Sequence, residues 1–244
     1  VLIDLKFNFL GGTTNLTWFD DGASCEYTDA AYYALNDVPT NCHYVNGLVT
    51  SEKCLNLNFI LEGLYNPDTH LMGSALGNVS GPCEVGISDY AQVELRSADD
   101  YSNIVFATGD FNLNMTGQTR VLVPSALNEN YHITVRHRNS IATVSAVPVS
   151  FSGTIMNYSF TDQSSKAWGS NMIQMADGKW AFFSGDVNQD GSVDTGDMSP
   201  VDNDAAAFAS GYLATDVNGD GMVDTADITL IDNNAANFTG SITP

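Results

Sequence analysis

Apolar and polar residues alternate from the first position. Val1, Ile3, Leu5, Phe7 and Phe9 are apolar, and Asp4, Lys6 and Asn8 stand between them. Side chains two apart share one face of a strand, so Val1–Leu10 predicts a half-buried strand, ended by Gly11-Gly12. The alternation returns in short runs further on. Leu55, Leu57, Phe59 and Leu61 alternate with Asn56, Asn58 and Glu62, and Ala91, Val93 and Leu95 with Gln92, Glu94 and Arg96. Phe111, Leu113 and Met115 alternate with Asn112 and Asn114, and Tyr131, Ile133 and Val135 with His132, Thr134 and Arg136. Ile104–Thr108, Arg120–Val123, Ala142–Phe151 and Thr154–Phe160 are further strand candidates. Turn residues such as Gly109-Asp110, Asn128-Glu129-Asn130 and Ser152-Gly153 separate them. Short alternating strands at this spacing predict a mainly β fold, an antiparallel immunoglobulin-like sandwich. Pro148 inside an apolar run marks an edge strand or a bulge. No long segment of helical period competes.

Composition divides the 244 residues into three stretches. Residues 1–53 hold the amphipathic strand and an irregular, Tyr-rich segment with two cysteines. Residues 54–184 hold the sandwich strands. Residues 185–244 contain no Lys or Arg, yet carry 11 Asp. The whole chain has 8 Lys and Arg against 29 Asp and Glu, a formal net charge of -21. That charge repels phosphate backbones and anionic lipid, which excludes nucleic-acid binding and electrostatic membrane-surface binding. No apolar run reaches the length of a spanning helix. The chain opens at Val1 with neither an initiator Met nor a leader pattern, as expected of a mature or trimmed chain.

The third stretch repeats on itself. Asp186–Asp197 reads D-V-N-Q-D-G-S-V-D-T-G-D, and Asp216–Asp227, thirty residues on, reads D-V-N-G-D-G-M-V-D-T-A-D. The tails match as well: Asp202-Asn203 with Asp232-Asn233, Ala205-Ala206 with Ala235-Ala236, Phe208 with Phe238. Each twelve-residue block has side-chain oxygens at positions 1, 3, 5, 9 and 12 and Gly at position 6, which is the pattern of a calcium loop. Ca²⁺ takes several oxygen ligands, and alternate residues of a tight loop supply them, while the Gly permits the sharp turn. The expected ligands of the first ion are Asp186, Asn188, Asp190, Asp194, Asp197 and the Ser192 carbonyl. Those of the second are Asp216, Asn218, Asp220, Asp224, Asp227 and the Met222 carbonyl. Val193 and Val223, at position 8, are expected to face inward and pair with each other across the two loops. Without metal the four carboxylates of a loop repel one another, so folding of this stretch is expected to depend on two Ca²⁺ ions.

These residues resemble the type I dockerin repeat, including Asp at the last ligand position. The resemblance implies a helix after each loop and docking of the pair onto a cohesin sandwich on another chain. Loop positions 10 and 11, which help select cohesins, are Thr195-Gly196 and Thr225-Ala226. The segments after the loops depart from the family: they lack the basic residues and the Leu-rich pattern of dockerin helices. A wider resemblance runs from about Cys54 to the C-terminus. L-N-L-N-F-I-L-E-G-L-Y-N, A-Q-V-E-L-R, Y-H-I-T-V-R-H-R-N-S and W-A-F-F-S-G-D-V-N-Q-D-G look like the C-terminal region of large secreted surface proteins of the Bacteroidetes type, where a β-sandwich runs into a dockerin-like pair. It implies secretion and a cell-surface or extracellular life, and no enzyme.

No catalytic motif appears. The four histidines, His43, His70, His132 and His137, form no metalloprotease or zinc-finger spacing, and no nucleophile elbow or phosphate loop is present. His132 and His137 lie with Arg136 and Arg138 on one strand, either as a solvated basic face or as a patch that meets the acidic third stretch. Cys25, Cys42, Cys54 and Cys83 suggest two disulfides and an oxidising compartment, with Cys25–Cys42 and Cys54–Cys83 the preferred pairing. The expected role is a calcium-stabilised structural or interaction protein of the cell surface, whose partner is another surface protein or a second copy. In the self-assembling version Val1–Leu10 completes a neighbour's sheet and propagates a fibre. The alternatives are a dockerin-type anchor, or a glycan-binding accessory module if Trp18, Trp168 and Trp180 form an exposed aromatic row.

Overall fold

The computed structural model describes residues 13–16, 47–50, 52–77 and 86–244. Val1–Leu10, on which the fibre rested, lies outside them, as do Cys25, Cys42, Cys83 and Trp18. Strands β1 (Thr13–Leu16) and β2 (Gly47–Thr50) form an antiparallel pair. The body of the chain follows as β3 (Lys53–Asn58), β4 (Tyr65–Asn66), β5 (Leu71–Met72), β6 (Ile87–Ser97), β7 (Ile104–Ala107) and β8 (Phe111–Asn114). It continues with β9 (Gln118–Val123), β10 (Asn130–His137), β11 (Ser140–Val144), β12 (Val149–Ser150), β13 (Ile155–Ser159), β14 (Ile173–Gln174) and β15 (Trp180–Ala181). Two helices close it, α1 (Thr195–Ala206) and α2 (Thr225–Ala236). Neither is long and apolar enough to cross a membrane.

One sheet runs β11-β10-β6-β7, with β8 also on β6 and β12 on β10. A second runs β13-β3-β9, and β4-β5 and β14-β15 are separate two-stranded pairs. Alternation fixes the inner faces: Leu55 and Leu57 of β3, Val121 and Val123 of β9, Ala91, Val93 and Leu95 of β6, and Ile133 and Val135 of β10 are all buried. Phe182 stacks on Phe59 with centroids 5.1 Å apart and meets Phe160 edge-on. The run expected as one strand over 142–151 is two, β11 and β12, with Pro148 between them. Among the described strands the pairings are antiparallel except that β13 lies parallel to β3 in five-residue register, from Ile155↔Cys54 to Ser159↔Asn58.

Cys54 is a free thiol that donates to Asn56 Oδ1 at 3.3 Å; Cys83, its expected partner, lies outside the described residues. One expectation is corrected: His132 and His137 are not solvated. His132 lies edge-on to Tyr101 and Trp168, which cover the outer face of β10. His137 is buried at the base of the joint described next.

The sandwich and the helical pair form one hydrogen-bonded body. Ile141 of β11 is buried in the small core of the helical pair, with Val193, Val201, Val217, Val223 and Ile231. At the turn between β10 and β11, Arg138 Nη1 donates to the carbonyls of Leu213 and Asp216. Asn139 Nδ2 donates to the carbonyls of Ala214 and Asp216 at 3.1 and 3.0 Å. Behind Arg138, the fully buried Asp89 accepts from Arg138 Nε, His137 Nε2 and the Tyr212 hydroxyl. On the other flank, Glu62 accepts from the Ser184 N–H and from Asn234 of α2, and burial pushes its carboxyl pKa up against those two bonds.

Candidate metal and docking site

Both loops fold alike because the same residues recur at the same steps. Position 9, Asp194 or Asp224, is the N-cap of the helix, and position 12, Asp197 or Asp227, is its third residue. The two close a capping box, the reciprocal arrangement that satisfies otherwise orphaned helix N–H groups. Both position-12 carboxylates are completely buried. Asp197 accepts from the N–H groups of Val187, Asn188 and Asp194 at 2.7–3.0 Å. Asp227 accepts from Val217, Asn218 and Asp224 at 2.7–2.9 Å. At positions 3 and 5, Asn188 Oδ1 accepts from the Asp190 N–H and Asp190 Oδ1 from the Ser192 N–H. Asn218 and Asp220 repeat those contacts with Asp220 and Met222.

Position 1 is where charge accumulates. Asp216 is fully buried and accepts from Gly219 and Gly221. Asp186 is 2 % exposed and accepts from Gly191 through Oδ2, while its Oδ1 is buried with no hydrogen-bond partner. Burial, and then the charge of Asp197, push the Asp186 carboxyl up to about 6. Burial likewise raises Asp216. A buried carboxylate oxygen without a donor is a costly arrangement that a cation relieves.

Val193 and Val223 face inward into one buried cluster, while their backbones hydrogen-bond elsewhere. The Val193 N–H bonds to the Thr239 carbonyl, and the Val223 N–H to the Ala209 carbonyl. Each loop thus grips the segment that leaves the other unit's helix, and the units interlock. Neighbouring bonds use the Gly191 and Gly221 carbonyls, so the carbonyls of Ser192 and Met222 are not consumed by this pairing. Among the described residues no three carboxylate, imidazole or thiol groups converge as a metal-holding cluster. The donor set fits a hard cation instead through mixed oxygens, with Asn amides and main-chain carbonyls beside the carboxylates.

Of the three tryptophans named for a glycan-binding face, Trp168 and Trp180 are half-buried and Trp18 lies outside the described residues. The joint built by Arg138 and Asn139 was legible only as the second of two readings of a basic strand. The two C-terminal phenylalanines, Phe208 and Phe238, were legible as a repeat and not as a surface.

A search of curated proteins finds no match. Solved structures that resemble the chain include a C-terminal and an N-terminal interface mutant of the type II cohesin–X–dockerin complex from Acetivibrio cellulolyticus. The first is 13% identical with a TM-score of 0.44, covering 78% of this chain and 97% of that one. The second is 14% identical with a TM-score of 0.41, covering 75% and 95%. At these scores the likeness carries no argument. Residues 184–235 match the model of the dockerin type I domain. That segment, which holds both loops, thus matches a dockerin type I domain, a kind of domain that binds calcium and serves protein interaction.

Proposed function

We propose that the chain is an extracellular anchoring protein whose residues 185–244 fold around two Ca²⁺ ions and dock onto a cohesin-type protein partner. The sandwich of residues 54–184 serves as a rigid brace. Asp186, Asn188, Asp190, Asp194, Asp197 and the Ser192 carbonyl would hold the first ion. Asp216, Asn218, Asp220, Asp224, Asp227 and the Met222 carbonyl would hold the second. The ion supplies positive charge to a nest of buried carboxylates. The chain's own residues do the rest: the capping boxes fix the start of each helix, and the crossed Val193–Thr239 and Val223–Ala209 bonds tie the two units together.

The observation that carries this reading is the buried, unpartnered Oδ1 of Asp186, in a loop whose ligand pattern recurs thirty residues later. Calorimetric titration of chelator-stripped protein with CaCl₂ tests it. Two bound ions are expected, one of them lost in Asp186→Asn and the other in Asp216→Asn. Absence of binding in the wild type would refute it. Binding to recombinant cohesins, abolished by chelator, tests the partner.

A further inference from the structure

Phe208 and Phe238 are 88% and 94% exposed, the most exposed large apolar side chains described. Each follows its helix at the C′ position, with φ of 52° and 53°. The hydrogen bonds there are those of a Schellman motif: Phe208 N–H to Ala205 O and Ala209 N–H to Asp204 O, then Phe238 N–H to Ala235 O and Thr239 N–H to Asn234 O. Glycine is the usual C′ residue because the left-handed backbone crowds a Cβ. A phenylalanine there is unfavourable for the backbone, and an exposed ring is unfavourable for solubility. The chain does both twice, thirty residues apart. Neither ring is packed into the fold.

We infer that Phe208 and Phe238 are the aromatic anchors of the docking surface, each seated in an apolar pocket of a folded protein partner whose rim is basic. This rests on the docking reading above and names the residues that carry it. Charge selects the occupant. Residues 185–244 hold 11 Asp and no Lys or Arg. A second copy of this acidic module would be repelled, as would anionic lipid, whereas basic side chains around an apolar pocket complement it. Large aromatic anchors ringed by polar residues are the usual seat of binding energy in such interfaces. The crossed pairing places Phe208 next to Ala209, which loop two grips, and Phe238 next to Thr239, which loop one grips. Each ring is thus presented by the loop of the other unit.

Glycine replacement separates recognition from folding. Phe208→Gly, Phe238→Gly and the double variant of the full chain are measured with Ca²⁺ against a panel of immobilised recombinant cohesins, alongside thermal melting. Affinity should fall about 30-fold or more in the double variant. Its melting temperature should hold or rise by roughly 2–4 °C. Wild-type binding that the double variant retains within threefold overturns the anchors and leaves the docking reading standing. A lowered melting temperature shows that the rings serve the fold and also overturns the inference. A wild type that binds no cohesin refutes the docking reading, and the inference falls with it.

Discussion

Gly63 sits where the sandwich meets the second loop. A Cβ there would run into the Val217 carbonyl oxygen and lie 3.3 Å from Ser184 Oγ, the atom that accepts the Gly63 N–H. The listener on the far side is backbone, which cannot swing away. Gly63→Ala should therefore cost about 1–3 kcal/mol in urea unfolding. Asp89 supplies a second test at this scale. Burial alone would raise its carboxyl, but the His137 hydrogen bond and charge, the Arg138 guanidinium and the Tyr212 hydroxyl hold it well below the ordinary value of 3.8. A carboxyl depressed in the fold contributes stability that is complete above its unfolded pKa and is lost as the pH falls below it. Wild-type melting should accordingly drop on acidification below about pH 4, and Asp89→Asn should flatten that part of the curve. At neutral pH the same variant strands Arg138 without its counter-charge, at a cost of about 3–5 kcal/mol. Parallel acid profiles for the two proteins would show that Asp89 does not act as a charge.

The two loop–helix units are a natural comparison of one element built twice. They differ at the sixth helical residue, Pro200 in α1 and Leu230 in α2. Proline has no N–H to give the Gly196 carbonyl, and its ring crowds that turn. Pro200→Leu should stabilise the first unit by up to about 3 kcal/mol, read as a higher melting temperature in calcium. Sequence legibility follows the same division between elements. The alternation of Leu55 to Leu61 and of Ala91 to Leu95 marked strands and their buried faces, because period two reports burial directly. The doubled Asp pattern marked the loops, because oxygen ligation constrains every second residue. Period two is blind to strand direction, so the parallel pairing of β13 with β3 was hidden. It is also blind to what lies above the outer face, so the covering of His132 by Tyr101 and Trp168 was hidden as well. The left-handed backbone of Phe208 and Phe238 runs against the preference of the residue, and no propensity argument would have placed it. The crossing of the two loops depends on how the units sit together, a tertiary property that two identical local patterns leave open.

Arg138 and Asn139 clasp the Asp216 carbonyl, the first residue of the second loop, and Ile141 fills part of the helical pair's core. Such shared packing predicts that sandwich and docking pair melt as one unit in calcium. Scanning calorimetry should show a single transition for the wild type. Arg138→Ala should divide it into two, with the lower one alone sensitive to chelator. A wild type that already melts in two steps would mean that the joint does not couple the parts. Chelator should lower the wild-type transition as a whole, since saturating a site at about a hundred times its dissociation constant is worth about 2.7 kcal/mol.

The parallel pairing of β13 with β3 also determines how the molecule answers mechanical load. Tension enters β3 at its N-terminal end, Lys53, and leaves β13 at its C-terminal end, Ser159, on the way to the docking pair. In a parallel ladder those ends lie at opposite poles, so a pull shears all five rungs together instead of peeling them singly. A chain held at its helical pair would thus meet a pull with its whole ladder at once.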